Sequence, residues 1–510
     1  MNPANPVDPK PPPAAARAQV LAELTRAPVD VLVIGGGIVG AGVARDAAMR
    51  GLRVGLVEQH DFAFGTSSRS SRLLHGGLRY LAQGRLGLVR ASSTEKKILH
   101  RIAPHLAEPL PFIFPAYRGN RNWVLWQLKI GVKVYDLLCS GRNLGKSTWL
   151  CRTGVLAKVP GLSADDLNGA VRYYDGFTND ARLTLDTLRS AAHHGALLLN
   201  YCRFCRGTNH GLWHCEVEGP LTEGHQTIKA RAVVNATGPW ADGVPHSQVK
   251  LRKTKGVHLV VERTRLPVPE TVVMTEGPRI LFAIPWGKRT IVGTTDTDYH
   301  GALEDVRADA SDVDYILKIT NHFFPSAHLS GRDVLSTWAG VRPLLAEPDG
   351  KPSELSRAHE IRHPEPGWWD VAGGKLTTYR LMAEQTVDKI VKSLARSMES
   401  TGLNGWARPE ESRTATEPLL PVAETAGISG VLPPEPSRRV VEHFVANEWA
   451  LHLTDVMLRR TSWHYYLQAA PQTAALAADW MAELLGWTPE ARAAELEQYA
   501  RLTATAPALA

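Results

Sequence analysis

Three glycines and one carboxylate near the start of the chain have the spacing of a dinucleotide site. In residues 29–59, VDVLVIGGGIVGAGVARDAAMRGLRVGLVEQ, Gly35, Gly37 and Gly40 fit G-x-G-x-x-G. The first allows a tight turn, the second lets pyrophosphate approach the backbone, and the third lets the following helix pack closely. Glu58 follows Gly37 by 21 residues, where a carboxylate can accept hydrogen bonds from ribose hydroxyls. A second cluster, residues 64–81 (FGTSSRSSRLLHGGLRYL), sets Thr66, Ser67, Ser68, Ser70 and Ser71 beside Gly76 and Gly77. Short hydroxyl side chains and bare backbone at such a place can reach a pyrophosphate or a ring. Cys202 and Cys205, with His210, His214 and Cys215 downstream, have the residue types of a zinc site but irregular spacing. That segment reads as a hairpin turning near residues 209–211, and no metal is assigned to it.

The elements that must position these residues follow from pattern. The apolar run 31–34 suits a strand buried on both faces, and residues 53–57 (RVGLV) suit its parallel neighbour. The intervening helix would aim its N-terminus at the phosphates. Further on, residues 271–296 alternate apolar and polar positions, with turn signals at 277–278 and 287–288, as an antiparallel sheet covered on one face should.

The chain has 510 residues, enough for about three folding units. Hydrophobic residues are 44%, charged residues 21%, and Gly plus Pro number 77, which is globular composition and excludes wholesale disorder. The net charge of +7 suits an anionic substrate or an acidic membrane surface and does not require nucleic acid. Five cysteines argue against a disulfide framework and for a reducing compartment. Residues 1–27 are Pro/Ala-rich, lack the apolar core of a secretory signal, and are expected to be a disordered tail. No 18-residue uncharged apolar run exists to span a bilayer. Residues 114–150 nevertheless interleave Arg118, Arg121, Lys129, Lys133, Arg142 and Lys146 with Trp123, Trp126, Tyr135 and Trp149, as either an amphipathic helix lying on an anionic surface or a domain-packing helix with a solvated basic edge would.

The loop pattern TSSxSSxLxHGGLRYL resembles the flavin loop of FAD-dependent glycerol-3-phosphate dehydrogenases, within the D-amino-acid-oxidase-like family. Later segments match in the same order: DGFTNDARLT at 175–184, AVVNATGPWAD at 232–242, KGVHLVV at 255–261, IPWGKRTIVGTTDTDY at 284–299, WAGVRPL at 338–344, LSRAHEI at 355–361 and AGGKLTTYRLMAE at 372–384. The resemblance covers about residues 28–395, with a weaker echo at 442–461. It implies FAD and an α/β oxidoreductase region over 28–400. A discontinuous Rossmann-like FAD-binding domain would come from about 28–100, 170–245 and 335–395, the last two segments joining the first on one parallel sheet. An inserted antiparallel-sheet substrate domain would come from about 101–169 and 246–334, roofing the isoalloxazine. Residues 401–510 would supply a linker and a short C-terminal helical cap. The cap and the loop 242–253 are shorter than is usual in this family, and the N-terminal tail is longer.

The substrate implied is sn-glycerol 3-phosphate, a dianion that arginine forks suit. By motif, Arg79, Tyr80, Arg357 and Lys375 would face mainly its phosphate, and Arg342 and His258 the reacting carbon. His258 is the expected proton acceptor, since an imidazole's ordinary pKa is about 6.5, and Arg342 would hold O2 as alkoxide charge develops. Gly35, Gly37, Gly40, Glu58, Thr66, Ser67, Ser71, Gly76, Gly77, Gly238, Gly373, Gly374, Leu376 and Thr377 would hold the cofactor. The resemblance further implies membrane quinone as electron acceptor, a cytoplasmic protein peripheral on the inner face of the cell membrane, and room for a homodimer. The alternatives are an oxidase that uses dioxygen, a dehydrogenase for amines or unphosphorylated hydroxy acids, and a non-catalytic flavin-binding protein.

Overall fold

The computed structural model describes residues 13–77, 81, 85–120, 122–139, 143–222, 224–277, 279–346, 359–401 and 409–504. The apolar strand Val29–Ile34 lies inside a sheet whose order is His359–Glu365, Trp368–Gly373, Gln226–Asn235, Val29–Ile34, Val54–Val57 and Leu197–Leu199. Of its five pairings the first is antiparallel and the other four are parallel, with Val31 beside both Ala232 and Val54. Strands buried on both faces read as continuous apolar runs, and VDVLVI and VGLV do so. The helices Ile38–Met49, Asp180–His193 and Tyr379–Thr401 cover one face through Ala41, Ala44, Leu185, Leu188, Met382 and Val387. The hairpin of Arg203–Asn209 and Trp213–Glu218, turning at His210 and Gly211 as expected, continues the sheet and helps to cover the other face.

The expected disordered tail is corrected over residues 13–26, whereas residues 1–12 lie outside the described residues. Pro13–Arg26 is a helix. Leu21 and Leu24 are buried against Val29, Leu32 and Leu199, and Arg17 donates to the side chain and backbone carbonyl of Asn200. Proline at the first helical position and alanine within it favour a helix, and Arg17, Leu21 and Leu24 recur at helical spacing on one face. Composition alone hid that stripe.

The second sheet runs Thr297–Asp298, Leu251–Glu262, Arg289–Gly293, Arg279–Trp286, Thr271–Glu276, Glu108–Tyr117, Leu167–Phe177 and Leu73–Leu74, with Val334–Leu345 along Leu251–Glu262. The meander over 271–293 is the expected one. Leu167–Phe177 and Val334–Leu345, expected on the parallel sheet, instead belong here. The first pairs with Glu108–Tyr117 over its whole length, and the second sets Arg342 opposite Thr254 and Trp338 opposite His258. Leu73–Leu74 also joins this sheet. The later contributions to the parallel sheet therefore start with Leu197–Leu199 and His359–Glu365.

The C-terminal helices Arg438–Asn447, Ala470–Leu485 and Pro489–Thr503 close around Val441, Phe444, Met457, Trp463 and Ala477. Buried charge docks this unit. Asp61 Oδ2 accepts from Arg459 Nε at 2.5 Å, and Oδ1 accepts from Arg460 Nη2 at 2.8 Å and from Asn200 Nδ2 at 3.1 Å. Glu448 accepts from both terminal nitrogens of Arg182, at 2.6 and 2.8 Å. Burial by itself would raise the Asp61 carboxyl, but Arg460 and Arg459 override it and pull it down to about 2. Removing one partner of a buried pair strands the other charge. Asp61→Asn is therefore expected to cost about 3–5 kcal/mol in urea unfolding. An unfolded aspartate titrates near 3.9, so the wild type keeps this contribution above about pH 4 and loses it as the pH falls towards 2. The variant should show no such loss; equal acid sensitivity in the two proteins would remove Asp61 from the account.

Candidate functional site

A cavity of about 650 Å³ lies between the two sheets. Its nucleotide end is the turn after Val29–Ile34. Gly35 adopts φ +108°, and a Cβ there would lie 2.7 Å from the carbonyl oxygen of Ala236, so only glycine fits. Gly37 caps the helix Ile38–Met49 and has no side chain between the helix N-terminus and the cavity. Gly40 does not line the cavity. A Cβ on it would collide with the carbonyl of Gly35, so its role is close packing of helix on turn. Glu58 lines the same end, its carboxylate accepting from Gly36 N at 2.7 Å and His60 N at 2.8 Å. Burial pushes its carboxyl above the ordinary glutamate value although both backbone N–H groups favour the anion. Partner donors at this spot, such as a ribose diol, would relieve that cost.

The hydroxyls of the loop line the cavity and also tie it together. Ser67 Oγ accepts from Ile38 N at 2.9 Å, Thr66 Oγ1 donates to Val341 O at 2.5 Å, and Ser71 Oγ bonds His258 Nε2 at 2.8 Å. Gly76 and Gly77, expected at the cofactor, are not among the lining residues. Gly76 N donates to Tyr135 Oη at 2.9 Å, and Tyr135 and Lys96 Nζ both donate to Asp175 Oδ1, at 2.5 and 2.6 Å. Tyr135 fills the space a Cβ would need, so this glycine seats the loop on a buried polar network. Gly238, Gly373, Gly374, Leu376 and Thr377 line the cavity as expected, and Thr377 Oγ1 accepts from His75 N at 3.0 Å. The glycine cradle, the open helix N-terminus and the desolvated Glu58 together fit an adenine dinucleotide flavin.

The reactive end is built on the paired strands Leu251–Glu262 and Val334–Leu345. His258 and Arg342 face the cavity with Lys375, whose Nζ reaches Ser92 Oγ at 3.5 Å. Arg342 donates to Thr294 Oγ1 at 3.0 Å, to Thr295 O at 3.3 Å and to Asp296 Oδ1 at 3.2 Å. Arg79, Tyr80 and Arg357 lie outside the described residues. His258 is buried and stacks on Trp338 with centroids 5.3 Å apart. Burial first, then the charges of Arg342 and Arg72, push its imidazole down to about 3. Its Nδ1 is buried without a hydrogen-bond partner among the described residues.

Several supporting residues escaped sequence reasoning. A Cβ on Gly256 would collide with the Arg342 guanidinium, so this glycine makes the groove in which that arginine lies. A glycine within a strand two residues from a candidate histidine was the available signal. Arg72 is buried between Trp286 and Trp338, at 4.5 and 5.1 Å, with Asp180 4.0 Å away. Asp180 Oδ2 also accepts from Ser70 N at 2.8 Å, locking the hydroxyl loop. Nothing in the spacing of these residues announces their convergence.

Comparison with known proteins places this geometry. Residues 30–388 match the FAD-dependent oxidoreductase family, and residues 434–492 match the C-terminal domain of alpha-glycerophosphate oxidase. The chain is 40% identical over 377 residues to aerobic glycerol-3-phosphate dehydrogenase of Staphylococcus aureus, covering 72% of this chain and 68% of the relative. A crystal structure of glycerol-3-phosphate dehydrogenase from Bacillus halodurans complexed with FAD superposes with a TM-score of 0.75 at 30% identity, over 96% of this chain and 97% of that one. L-alpha-glycerophosphate oxidase from Mycoplasma pneumoniae shares the fold, with a TM-score of 0.59 at 18% identity over 78% of this chain and 99% of that one.

The state of His258 has a measurable consequence. The folded protein keeps this imidazole neutral down to about pH 3, whereas the unfolded chain takes up the proton near 6.5. Stability should therefore fall as the pH drops from about 6.5 towards 3, because only the unfolded state gains that proton. His258→Gln keeps a donor or acceptor for Ser71 and should flatten the fall in thermal midpoint over that window; an unchanged slope would contradict the buried neutral imidazole.

Proposed function

The chain belongs to the FAD-dependent oxidoreductase family, and on that premise we propose an enzyme that oxidises sn-glycerol 3-phosphate to dihydroxyacetone phosphate and delivers the electrons to a membrane quinone. The observation that carries this reading is the cation excess at the reactive end. Among the described residues, Arg69, Arg342 and Lys375 line the cavity there with His75 and His258, against Asp180, which is engaged with Arg72 and the loop backbone, and Asp296, which pairs with Arg342 from outside the lining. A dianionic ester supplies most of the charge that balances such a site, whereas an unphosphorylated hydroxy acid brings a single negative charge and glycerol or an amine brings none.

FAD supplies the hydride acceptor for this chemistry when bound. The chain's own residues bind, orient and manage the proton. Lys375 takes part of the phosphate charge, and Arg342, on the same wall of the cavity as His258, holds the C2 oxygen and stabilises alkoxide character. In the tautomer protonated at Nδ1, His258 accepts at Nε2 from Ser71, so the hydroxyl proton of the substrate can reach Nε2 directly or by way of the Ser71 hydroxyl. The phosphate also counters the two arginines that hold the His258 pKa down, which makes the imidazole a better acceptor when substrate is present.

The membrane side of the proposal rests on one surface. The helix Leu125–Leu138 turns Trp126 (61% exposed), Ile130 and Leu137 (73% exposed) outward, with the exposed Trp149 adjoining and Lys129 Nζ 4.2 Å from its ring. Aromatic and aliphatic side chains flanked by lysines suit an anionic lipid interface. The helix is shorter than the basic-aromatic segment suggested, and Tyr135 faces inward; Arg121 and Arg142 lie outside the described residues. Among the described residues no helix is long and apolar enough to cross a membrane.

Anaerobic addition of sn-glycerol 3-phosphate to the yellow protein should bleach the flavin band, while glycerol and D-lactate leave it unchanged. Bleaching by the controls alone, or by none of the three, would overturn the substrate. Gly256→Ala should slow that bleaching by about 100-fold or more with FAD still bound, because displacing a positioned charge by an ångström carries losses of that order. Bleaching at the wild-type rate would detach Arg342 from the reaction. Wild-type protein should float with phosphatidylglycerol vesicles, and a Trp126→Ser, Ile130→Ser, Leu137→Ser protein should stay behind. Equal flotation would place the docking surface elsewhere.

A further inference from the structure

The hairpin beside the nucleotide end carries a donor set that the flavin chemistry does not use. Cys202 and Cys215 are buried in the apolar layer under the hairpin, apart from any polar site. Cys205 goes elsewhere. The pairing of Arg203–Asn209 with Trp213–Glu218 slips between Phe204 and Arg206, so Cys205 is the extra residue of a bulge with no partner across the ladder. Bulges re-aim a side chain in this way. Its Sγ comes within 4.8 Å of donor atoms from both Glu218, at the end of the second hairpin strand, and His225, just before Gln226–Asn235.

We propose that Cys205, Glu218 and His225 form a zinc site that clamps three neighbouring strands at the nucleotide end of the cavity. A thiolate, an imidazole and a carboxylate form a zinc donor set; calcium and magnesium prefer oxygen alone. Tetrahedral bonds of about 2.0 Å to nitrogen and oxygen and 2.3 Å to sulfur separate ligand atoms by about 3.3–3.6 Å. His225 Nδ1 and Glu218 Oε2 already stand 3.6 Å apart, and rotation of the exposed imidazole closes the remaining gap to sulfur. Arg203 donates from Nε and Nη2 to the other carboxylate oxygen, Oε1, through Nε at 2.8 Å, which fixes the carboxylate and leaves Oε2 for the metal. A ligating carboxylate held from behind is the usual outer-shell arrangement. All three ligands are at least partly exposed, so water can complete the tetrahedron. Zinc binding displaces the Cys205 thiol proton to solvent, and no other bond is made or broken.

Arg203, Phe204 and Cys205 also line the cofactor cavity, so the clamp would stiffen the wall beside Glu58. The zinc site itself does not depend on which substrate the protein oxidises. The test uses the full-length, flavin-loaded protein with Zn²⁺ as the probe, metal-stripped by chelator and then dialysed against buffered free zinc, with metal counted per chain. Wild-type protein should hold one zinc that His225→Ala and Cys205→Ser lose, with affinity at least about 10-fold weaker in each. Co²⁺ in place of zinc should give visible bands to the red of the flavin in wild type and not in the variants. His225 is exposed, so its removal leaves the fold intact, and flavin content and thermal midpoint check Cys205→Ser. Zinc held equally by wild type and variants, an adventitious ion only, overturns the proposal, as does a wild-type protein that retains none. Loss of zinc binding with normal substrate bleaching would leave the enzymatic reading standing, and the converse would leave the metal site standing.

Discussion

A buried carboxylate cannot be left alone, and Asp61 stands where three parts of the chain meet. It follows Glu58 by three residues in the loop after Val54–Val57, and it takes Arg459 and Arg460 from the C-terminal unit and Asn200 from the end of the outermost parallel strand. Asn200 in turn holds Arg17 of the N-terminal helix and accepts no slack, since its amide also donates to Trp449 O. These charges are held by buried partners, Arg459 by Asp455 as well as by Asp61, because water is excluded from them. The end of the strand that carries Glu58 is thereby fixed by residues nearly four hundred positions away, so that the C-terminal helices support a cavity that, among the described residues, they do not line.

At the reactive end, too, each charge is both paired and held in place, Arg342 with Asp296 and Arg72 with Asp180. Arg342 lies in the groove made by Gly256, and Arg72 lies between two indoles, so neither can swing away when the cavity holds no anion. Burial first, and then their field, keeps His258 neutral. A site prepared in this way favours an anion that brings its own negative charge, since no rearrangement is needed on binding.

One helix serves two surfaces. Leu125–Leu138 turns Trp126, Ile130 and Leu137 to solvent and Tyr135 inward, where its hydroxyl bonds Gly76 and Asp175. The outward face and the seat of the hydroxyl loop are therefore one rigid element, a consequence of helical periodicity that places residues four apart on one side and their neighbours on the other.

The cofactor end of this protein was legible in its sequence because local geometry forces it. A glycine turn between a buried strand and a helix, followed by an acid at the end of the next strand, leaves few other solutions, and Gly35, Gly37 and Glu58 line the cavity accordingly. Motif order further brought His258, Arg342 and Lys375 to one wall. Pairings between distant segments decided the rest. Val334–Leu345 sits on the second sheet because its partner is Leu251–Glu262, Gly76 serves a tyrosine 59 residues away, and Pro13–Arg26 is ordered because Asn200 and an open sheet face await it. Spacing along the chain reports what neighbours can do together, whereas burial, ion pairing and strand register depend on contacts that only the folded chain brings within a few ångströms.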